Sequence, residues 1–109
     1  MALWSEVEAA APQLAAAAKQ HFDAHVHHVL GTLRRDGSPR LSGTEVRFAE
    51  GGLWLGSMPG ARKARDLQRD PRFSLHTSSE DPPAWSGDAR VAGRADEVTE
   101  RGERRLERG

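Results

Sequence analysis

Two adjacent cationic residues, Arg62 and Lys63, are the strongest candidates for a functional site, because their charge and position suit the binding of an anion. They fall in the first turn of a predicted helix over 61–69, after the bend at 58–60, where the helix macrodipole disfavours cations. A bound phosphate would remove that conflict, because it accepts hydrogen bonds from the free N–H groups of the first turn and from both side chains. Ser57 adds a hydroxyl donor at the end of the preceding predicted strand. The alternative interpretation is a solvated basic turn.

The sequence contains no pattern for catalysis by a protein nucleophile. There is no Cys, which excludes thiolate chemistry and disulfides. The stretch 55–59 does not fit the G-x-S-x-G elbow, and the glycines form neither a P-loop nor a G-x-G-x-x-G fingerprint. The acidic residues fall mainly in predicted turns and in the tail, so paired-carboxylate hydrolysis has no support. Chemistry without a protein nucleophile favours a bound cofactor.

The histidines do not form a metal-binding pattern. His21 and His25 are spaced i, i+4, but no H-E-x-x-H motif is present, and zinc requires at least three ligands in a fixed geometry. A helix-to-strand junction between them would separate the pair, so we predict no metal site and interpret them as strand and junction histidines. His76, on a later predicted strand, is the better functional candidate, with a hydrogen-bonded core histidine as the alternative.

Length and charge exclude several classes of protein. The chain has 109 residues, which indicates one domain, and its 16 basic and 16 acidic residues cancel. A nucleic-acid partner would require a basic excess, so none is expected. No apolar run approaches the roughly 20 residues of a membrane span, and the N-terminus lacks the layout of a secretion signal, so we expect a cytoplasmic protein with no membrane partner. Hydrophobic content is only 37%, so we expect a second subunit to complete the core.

Residues 1–24 are predicted to form an N-terminal helical segment. Ser5 and Glu8 fit a capping box, and apolar residues, most of them Ala, recur behind it at helical spacing. Pro12 interrupts this run, so we expect either a kink or a helix that begins at Ala11. The many Ala residues favour a helix that packs shallowly.

Alternating apolar residues and turn-forming residues predict an antiparallel meander after this segment. Asp36-Gly37 indicates a hairpin with a type I′ turn, and 50–52 indicates a second turn. Pro71 ends the helix over 61–69, because proline disfavours helical conformation at the preceding residue. The predicted strands cover 25–33, 39–48, 53–57, 72–77 and 89–95, the last with a small-residue inner face.

Three stretches together resemble the pyridoxamine 5′-phosphate oxidase-like, FMN-binding split-barrel superfamily: LGTLRRDGSPRLSGTEVRF, LWLGSMPGARKARDLQRDPRFSLH and GDARVAGRADEV. The most specific piece is the Gly-x-Arg-Lys-Ala turn, followed by Asp-Pro-Arg and an apolar strand. The resemblance covers residues 25–98. It implies a mainly β (α+β) fold: a six-stranded antiparallel split β-barrel with an N-terminal helix and a short helix between strands three and four. It also implies a homodimer with the flavin in a groove at the subunit interface.

A cofactor site follows from this resemblance. Arg62 and Lys63 would hold the flavin phosphate, and Ser57 occupies the family's position for a hydroxyl on the phosphate side. The second strand would lie along the ring system and offer backbone and hydroxyl contacts from Ser42, Gly43 and Thr44.

The chain departs from authentic pyridoxamine phosphate oxidases in two ways. Two positions of the second strand that carry basic residues facing the flavin are apolar here, Leu41 and Val46, so negative charge on the reduced ring would lose cationic support. Family members also usually continue for several elements beyond the strand equivalent to 88–98. Either the barrel closes differently, or this is a short member.

The loop and the tail are the least regular parts of the sequence. Loop 78–88 carries Trp85, which we interpret either as an anchor over a site or as a plug of the barrel end. The charged tail 99–109 has one Leu and cannot bury a face, so we expect it to be frayed or disordered.

These observations favour an FMN-dependent oxidoreductase that acts on an unknown small-molecule substrate. Lys63 would hold phosphate equally well in the deazaflavin (F420) subgroup, whereas Arg62 beside it favours FMN. One alternative is an F420-dependent reductase. Another is a non-catalytic flavin-, F420- or haem-binding protein on the same barrel, which Leu41 and Val46 favour. A third is a degenerate fragment with no cofactor, which the abrupt tail suggests.

Overall fold

A computed structural model describes residues 3–56, 60–98 and 103–107 of the chain. The structure consists of two N-terminal helices, a six-stranded sheet and one helix inserted after the third strand. In chain order they are α1 (Trp4–Ala10), α2 (Pro12–Asp23), β1 (His27–Leu33), β2 (Pro39–Ala49), β3 (Gly52–Gly56), α3 (Arg62–Arg69), β4 (Arg72–His76), β5 (Arg90–Val98) and β6 (Glu103–Glu107).

The strands close into one barrel in the order β1-β2-β3-β6-β5-β4, and every neighbouring pair is antiparallel. Alternation along each strand decides which side chains enter the barrel. In β1 and β2 the inward residues Leu30, Thr32 and Thr44 are buried, whereas the outward residues Val29 and Leu41 are exposed. The predicted α+β split barrel, with a helix between strands three and four, is therefore confirmed.

The sixth strand corrects the prediction that the whole charged tail is frayed. β6 pairs with β3 from Leu53↔Leu106 to Gly56↔Glu103, and with β5 from Arg94↔Glu107 to Val98↔Glu103. A ladder is made by backbone N–H and C=O groups, so a charged segment can close a barrel when two neighbouring strands present unpaired edges. The rest of the tail, 99–102 and 108–109, lies outside the described residues.

The first hairpin turn does not have the type that the sequence predicts, and the second turn, predicted at 50–52 without a type, is the one with two consecutive residues of positive φ. Type I′ geometry at Asp36-Gly37 is wrong, because only Gly37 has positive φ, +87°. That connection is a five-residue loop in which the Gly37 N–H donates to Arg34 O at 2.9 Å. The two-residue turn instead joins β2 to β3, where both central residues, Glu50 and Gly51, have positive φ, 53° and 71°.

The N-terminal helices attach to the barrel through aromatic contacts. Trp4 and Phe22 pack against Phe48 of β2, with ring centroids 5.0 and 6.0 Å apart. The predicted capping box is wrong, since Leu3 is the N-cap of α1 and Ser5 lies inside the helix, where its N–H donates to Gly51 O at 2.9 Å. The chain breaks at Ala11, and Pro12 begins α2, where its missing N–H costs nothing.

Inside the barrel, leucine and phenylalanine side chains from β1, β3, β4 and α3 form the core with Ala95 of β5. The predicted small-residue inner face of the fifth strand is confirmed, because Ala95 is buried and its neighbours Arg94 and Asp96 are exposed. Trp85 does not plug the barrel; its side chain is 53% exposed, and its indole N–H donates to Asp88 at 3.1 Å. Among the described helices, none has the length and apolar character that a membrane span requires.

Candidate cofactor site

Helix α3 is the element that positions the two predicted phosphate ligands. It runs from Arg62 to Arg69, and Asp70 adopts extended geometry immediately before Pro71, as predicted. Ala61 is the N-cap and contributes no side-chain hydrogen bond, and no acidic residue lies in the first turn. The buried face of α3 consists of Ala64, Asp66 and Leu67, so packing against the barrel sets its rotation.

Lys63 and Gly43 meet although twenty residues separate them. The ammonium Nζ of Lys63 donates to the carbonyl oxygen of Gly43 at 3.1 Å. This contact brings the first turn of α3 against the middle of β2. Two of the predicted site residues are therefore neighbours in space, one from each of the two elements that were expected to form the site.

Within residues 3–56, 60–98 and 103–107, nothing covers the outward side of β2 at Gly43. A Cβ atom built on Gly43 meets no heavy atom of these residues within 4 Å. On one side Gly43 pairs with Val29 of β1, whereas the described pairing of β2 with β3 begins three residues later, at Val46↔Leu55. As far as the described side chains are concerned, a planar ligand could therefore approach the backbone at Gly43.

The other predicted site residues occupy different environments. Arg62 is the exposed first residue of α3, and no partner for its guanidinium occurs among the described residues. Thr44 is buried inside the barrel, where its hydroxyl donates to Glu45 O at 3.4 Å, so only its backbone is available to a ligand on the outer side. Ser42 is half-buried on the same inward side of β2. Ser57 lies outside the described residues, as do Met58 and Pro59.

The apolar residues at the two departing positions point in different directions. Leu41 is 75% exposed on the outer face of β2, whereas Val46 is half-buried against the core. Both positions carry an apolar residue in place of the basic residue that the resemblance implies. Of the two side chains, only that of Leu41 points outward.

A buried carboxylate ties α3 to the first hairpin. Asp66 Oδ2 accepts hydrogen bonds from Thr32 Oγ1 at 2.8 Å and from Arg40 Nε at 2.7 Å. Asp66 Oδ1 accepts from Arg69 Nη2 at 3.0 Å, and the same Arg69 nitrogen reaches Leu33 O. We call Asp66, Thr32, Arg40 and Arg69 the Asp66 clamp, because it joins β1, β2 and α3 through one side chain.

The clamp also keeps Asp66 charged. Burial by itself would raise the pKa of this carboxyl, but the hydrogen bonds from Arg40, Thr32 and Arg69 outweigh that effect and hold the pKa below its ordinary value. The negative charge is therefore a permanent part of the fold near neutral pH. It fixes α3 three residues after Lys63, less than one helical turn away.

Sequence reasoning missed this clamp. A signal was present: Asp66 is the single acidic residue of a helix that otherwise carries four cationic residues, and it is spaced i, i+3 from Arg69. That pattern indicates a carboxylate held by cations. Its partners Thr32 and Arg40 lie 34 and 26 residues away, and no local pattern points to them.

His21 and His25 lie on different elements, as the sequence predicts, whereas His76 differs from one of its two predicted interpretations. Helix α2 ends at Asp23, so His21 lies in the helix and His25 beyond it, which confirms the predicted junction. In the described part of the chain no cluster of three metal-ligating residues exists. His76 is exposed and contacts Thr77 O, so the alternative of a core histidine is wrong for this position.

The buried histidine is His28. Its Nε2 lies 2.7 Å from Phe22 O and 3.0 Å from His25 O, so that nitrogen must carry the proton. Its Nδ1 accepts a hydrogen bond from the Ser78 N–H at 3.1 Å, which requires the unprotonated nitrogen. His28 is thus a neutral connector between the end of α2 and the start of the loop after β4.

The sequence as a whole matches the family model of pyridoxamine 5′-phosphate oxidase over residues 14–107. This match extends over most of the chain, and the chain therefore belongs to the pyridoxamine 5′-phosphate oxidase family. No protein of curated function shows detectable sequence similarity to it.

Solved structures with the same barrel support this assignment. A conserved hypothetical protein from Mycobacterium tuberculosis is 26% identical, with a TM-score of 0.67 over 79% of this chain and 55% of that one. A haem-binding protein from Mycobacterium smegmatis is 29% identical, with a TM-score of 0.57 over 77% of this chain and 38% of that one. HutZ, the haem storage protein from Vibrio cholerae, is 18% identical, with a TM-score of 0.67 over 100% of this chain and 92% of that one, and shows the fold alone. This chain thus spans about half or less of the two mycobacterial proteins.

Proposed function

We propose that this protein is an FMN-binding oxidoreductase that acts on a small-molecule substrate as a homodimer. The observation that carries the proposal is the contact between Lys63 Nζ and Gly43 O at 3.1 Å, beside the open backbone of β2. It places a cation, the start of a helix and an accessible strand in one location, which is what a ligand with a phosphate and a planar ring requires.

The residues present fit such a ligand at its phosphate end. The amide N–H groups of Arg62 and Lys63 lie in the first turn of α3, and no acceptor for them occurs within the described ranges. Both side chains are cationic, and the helix dipole adds positive potential at the same end. A phosphate bound there would replace the Gly43 carbonyl as the partner of Lys63 or share the ammonium with it. FMN is favoured over F420 by Arg62, which supplies a second cation beside Lys63.

The residues fit the ring less completely. FMN supplies hydride or electron transfer when bound, and the protein supplies binding and orientation. The backbone of Ser42, Gly43 and Thr44 offers hydrogen-bonding groups along one strand, but Leu41 provides no charge to oppose a negative ring. We therefore propose a substrate other than pyridoxamine 5′-phosphate.

A second copy of the chain would cover the outer face of β1 and β2. Val29 and Leu41 are 41% and 75% exposed there, and Gly31 and Gly43 beside them leave the surface flat. Large apolar side chains on an otherwise flat sheet favour association. The open side at Gly43 would then lie at the edge of the subunit interface, where the resemblance places the flavin.

The proposal is tested by titrating the purified protein with FMN and following flavin fluorescence. We expect saturable binding that Lys63→Ala weakens at least tenfold and that the double variant with Arg62→Ala abolishes. Lys19→Ala is the matched control, because Lys19 is the other lysine of the chain and lies on α2, in an exposed pair with Asp23. Unchanged FMN affinity in the double variant would contradict the site, and no FMN binding by the wild-type protein would contradict the function.

The second candidate function is cofactor binding without turnover. It is supported by the apolar residues Leu41 and Val46, and by the name of one structural neighbour, the haem-binding protein from Mycobacterium smegmatis. Wild-type protein loaded with FMN, F420 or haem would then show no oxidation of NAD(P)H or of reduced F420 across a panel of small acceptors. Sustained turnover with any of these would exclude this candidate.

A further inference from the structure

A cleft lies between the N-terminal helices and β5, on the side of the barrel opposite the candidate cofactor site. Its volume is about 530 Å³, within the range of roughly 300–1,000 Å³ typical of small-molecule pockets. In the barrel order, β5 is three strands away from β2 in either direction. None of the described residues that line the cleft belongs to α3 or β2, so the cleft is separate from the Lys63 site.

The cleft exists because the packing face of α2 is made of alanine. Ala15 and Ala18 face the barrel, and side chains of this size do not fill the space between a helix and a sheet. Larger apolar residues, Trp4, Leu53 and Val91, form the floor and the opposite wall. The result is an apolar cavity that the chain's own side chains leave open.

One large apolar residue shows that the cleft lacks a cover. Leu14 lines the cleft on α2, yet 66% of its surface is exposed. Covering this side chain would remove apolar surface from water and would favour binding of an apolar group. An apolar ligand body in the cleft would cover Leu14 and the alanines together.

The rim supplies polar groups on one side. His21, Asp88 and Arg90 lie where the cleft opens, and a Cβ on Gly87 would be 3.6 Å from His21 Nε2, so the imidazole packs against the loop backbone. The oxygens of Asp88 already accept from Ser79 Oγ at 2.7 Å and from the indole N–H of Trp85 at 3.1 Å.

Arg90 differs from Asp88 in having unused hydrogen-bonding capacity. Its guanidinium has five N–H donors, and within the described residues none of them has an acceptor. A carboxylate matches a guanidinium in a bidentate geometry that a hydroxyl or an amine does not offer. The free N–H donors of Arg90 therefore favour a carboxylate head group on the ligand. The alanine face of α2 favours an aliphatic body.

We propose that this cleft binds a small amphiphile with an aliphatic body and one carboxylate head, the body lying between α2 and β5 and the carboxylate on Arg90. The proposal goes beyond the FMN function and does not depend on it, because the two sites share no residue. Medium-chain fatty acids are the simplest members of this chemical class.

The test is calorimetric titration of the full chain with octanoate and decanoate, with decanol and decylamine as probes of equal body and different head. We expect decanoate to bind about fifteenfold more tightly than octanoate, because it has two more CH₂ groups and each one buried contributes about a fourfold gain. We expect at least tenfold weaker binding of decanol and no binding of decylamine. Equal binding of all three ten-carbon probes would mean non-specific partition and would overturn the proposal.

Variants at the rim locate the head group. Arg90→Ala should weaken decanoate binding at least tenfold, whereas Arg94→Ala, four residues along the same strand and outside the lining, should leave it unchanged. Asp88→Asn should strengthen it, since a negative charge beside the carboxylate is removed. Decanoate affinity that is equal in Arg90→Ala and the wild-type protein would overturn the assignment.

A variant of the wall locates the body without risk to the fold. Leu14→Glu changes an exposed residue, so the protein should remain folded, and the introduced carboxylate should repel decanoate and reduce its affinity at least tenfold. If Leu14→Glu instead converts a dimer into a monomer and decanoate binding is absent from the wild-type protein, the occupant is a second copy of the chain and the proposal is wrong. FMN affinity should be the same in all these variants, which separates a failure of this proposal from a failure of the proposed function.

Discussion

The guanidinium of Arg40 lies 2.7 Å from the buried carboxylate of Asp66, and this contact holds β2 and α3 together. Asp66 is 2% exposed, and its other partners come from β1 and from α3 itself. The relative position of Lys63 and Gly43 therefore depends on a side chain that neither of them touches.

Asp66→Asn should destabilise the protein by about 2 kcal/mol, because hydrogen bonds to a charged group contribute roughly 1.5–3 kcal/mol and the amide cannot accept all of them. Urea unfolding measures the change. Asp23→Asn is the control: Asp23 is half exposed in a pair with Lys19, and its removal should cost less than about 0.5 kcal/mol. Equal effects of the two substitutions would show that the Asp66 clamp contributes nothing special.

The stability that Asp66 contributes should vanish in acid. Its folded pKa lies below the ordinary value of about 3.9, so the contribution is complete above that pH and is lost as the pH falls through the folded pKa. Urea midpoints of wild-type and Asp66→Asn protein should differ at pH 6 and converge as the pH falls below the ordinary carboxyl pKa and through the folded pKa. Arg72 lowers the pKa of Asp70 to about 2, so the stability of both proteins also depends on pH through Asp70. A gap that widens on acidification would contradict this sign.

Side chains added at Gly43 should weaken FMN binding according to their size. No described residue lies within 4 Å of a Cβ at this position and its φ is not in the positive range, so Gly43→Ala and Gly43→Val should fold normally, with stability changes within about 1 kcal/mol. If FMN lies along β2, its affinity should fall modestly for Ala and at least tenfold for Val. Circular dichroism and flavin titration on the same samples separate the two effects. Full FMN affinity in Gly43→Val would remove β2 from the site.

A charge at Leu41 should prevent dimer formation. The side chain is 75% exposed and its Cδ2 lies over Gly31, so Leu41→Lys changes the outer face without touching the core. Light scattering coupled to gel filtration should show a dimer for the wild-type protein and a monomer for Leu41→Lys. Arg35→Lys, on the exposed first hairpin loop, serves as the control. A dimer of undiminished stability in Leu41→Lys would place the interface elsewhere.

His28→Phe should cost about 1–3 kcal/mol, although Phe is apolar and fits a buried position. It leaves the carbonyls of Phe22 and His25 and the N–H of Ser78 without their partner, and buried unpaired groups are costly. His27→Ala, next to it but exposed, is the matched control and should change stability little. Thermal unfolding of both variants measures these changes. Equal melting temperatures of His28→Phe and His27→Ala would contradict the role of His28 as a connector.

Much of the local structure followed from the amino-acid sequence. The helix that carries Arg62 and Lys63 was predicted within one residue, because the glycine bend before it and Pro71 after it act on neighbouring residues only. The first five strands were predicted within two or three residues by alternation, whereas β6 was not predicted. The turn type at Asp36-Gly37 was not predicted correctly, since the length of the loop and the register between the flanking strands select the turn geometry.

The sequence by itself determined the helix with its two leading cations, the alternation of each strand and, through its motifs, the family. These are properties of residues within a few positions of one another. Only the tertiary structure decided that β6 closes the barrel, that Thr44 turns inward while Leu41 turns outward, and that Asp66 joins Thr32 and Arg40. The physical reason is that backbone pairing and strand register act between distant segments, and a shift of one residue would reverse every inward and outward side chain without changing any local pattern.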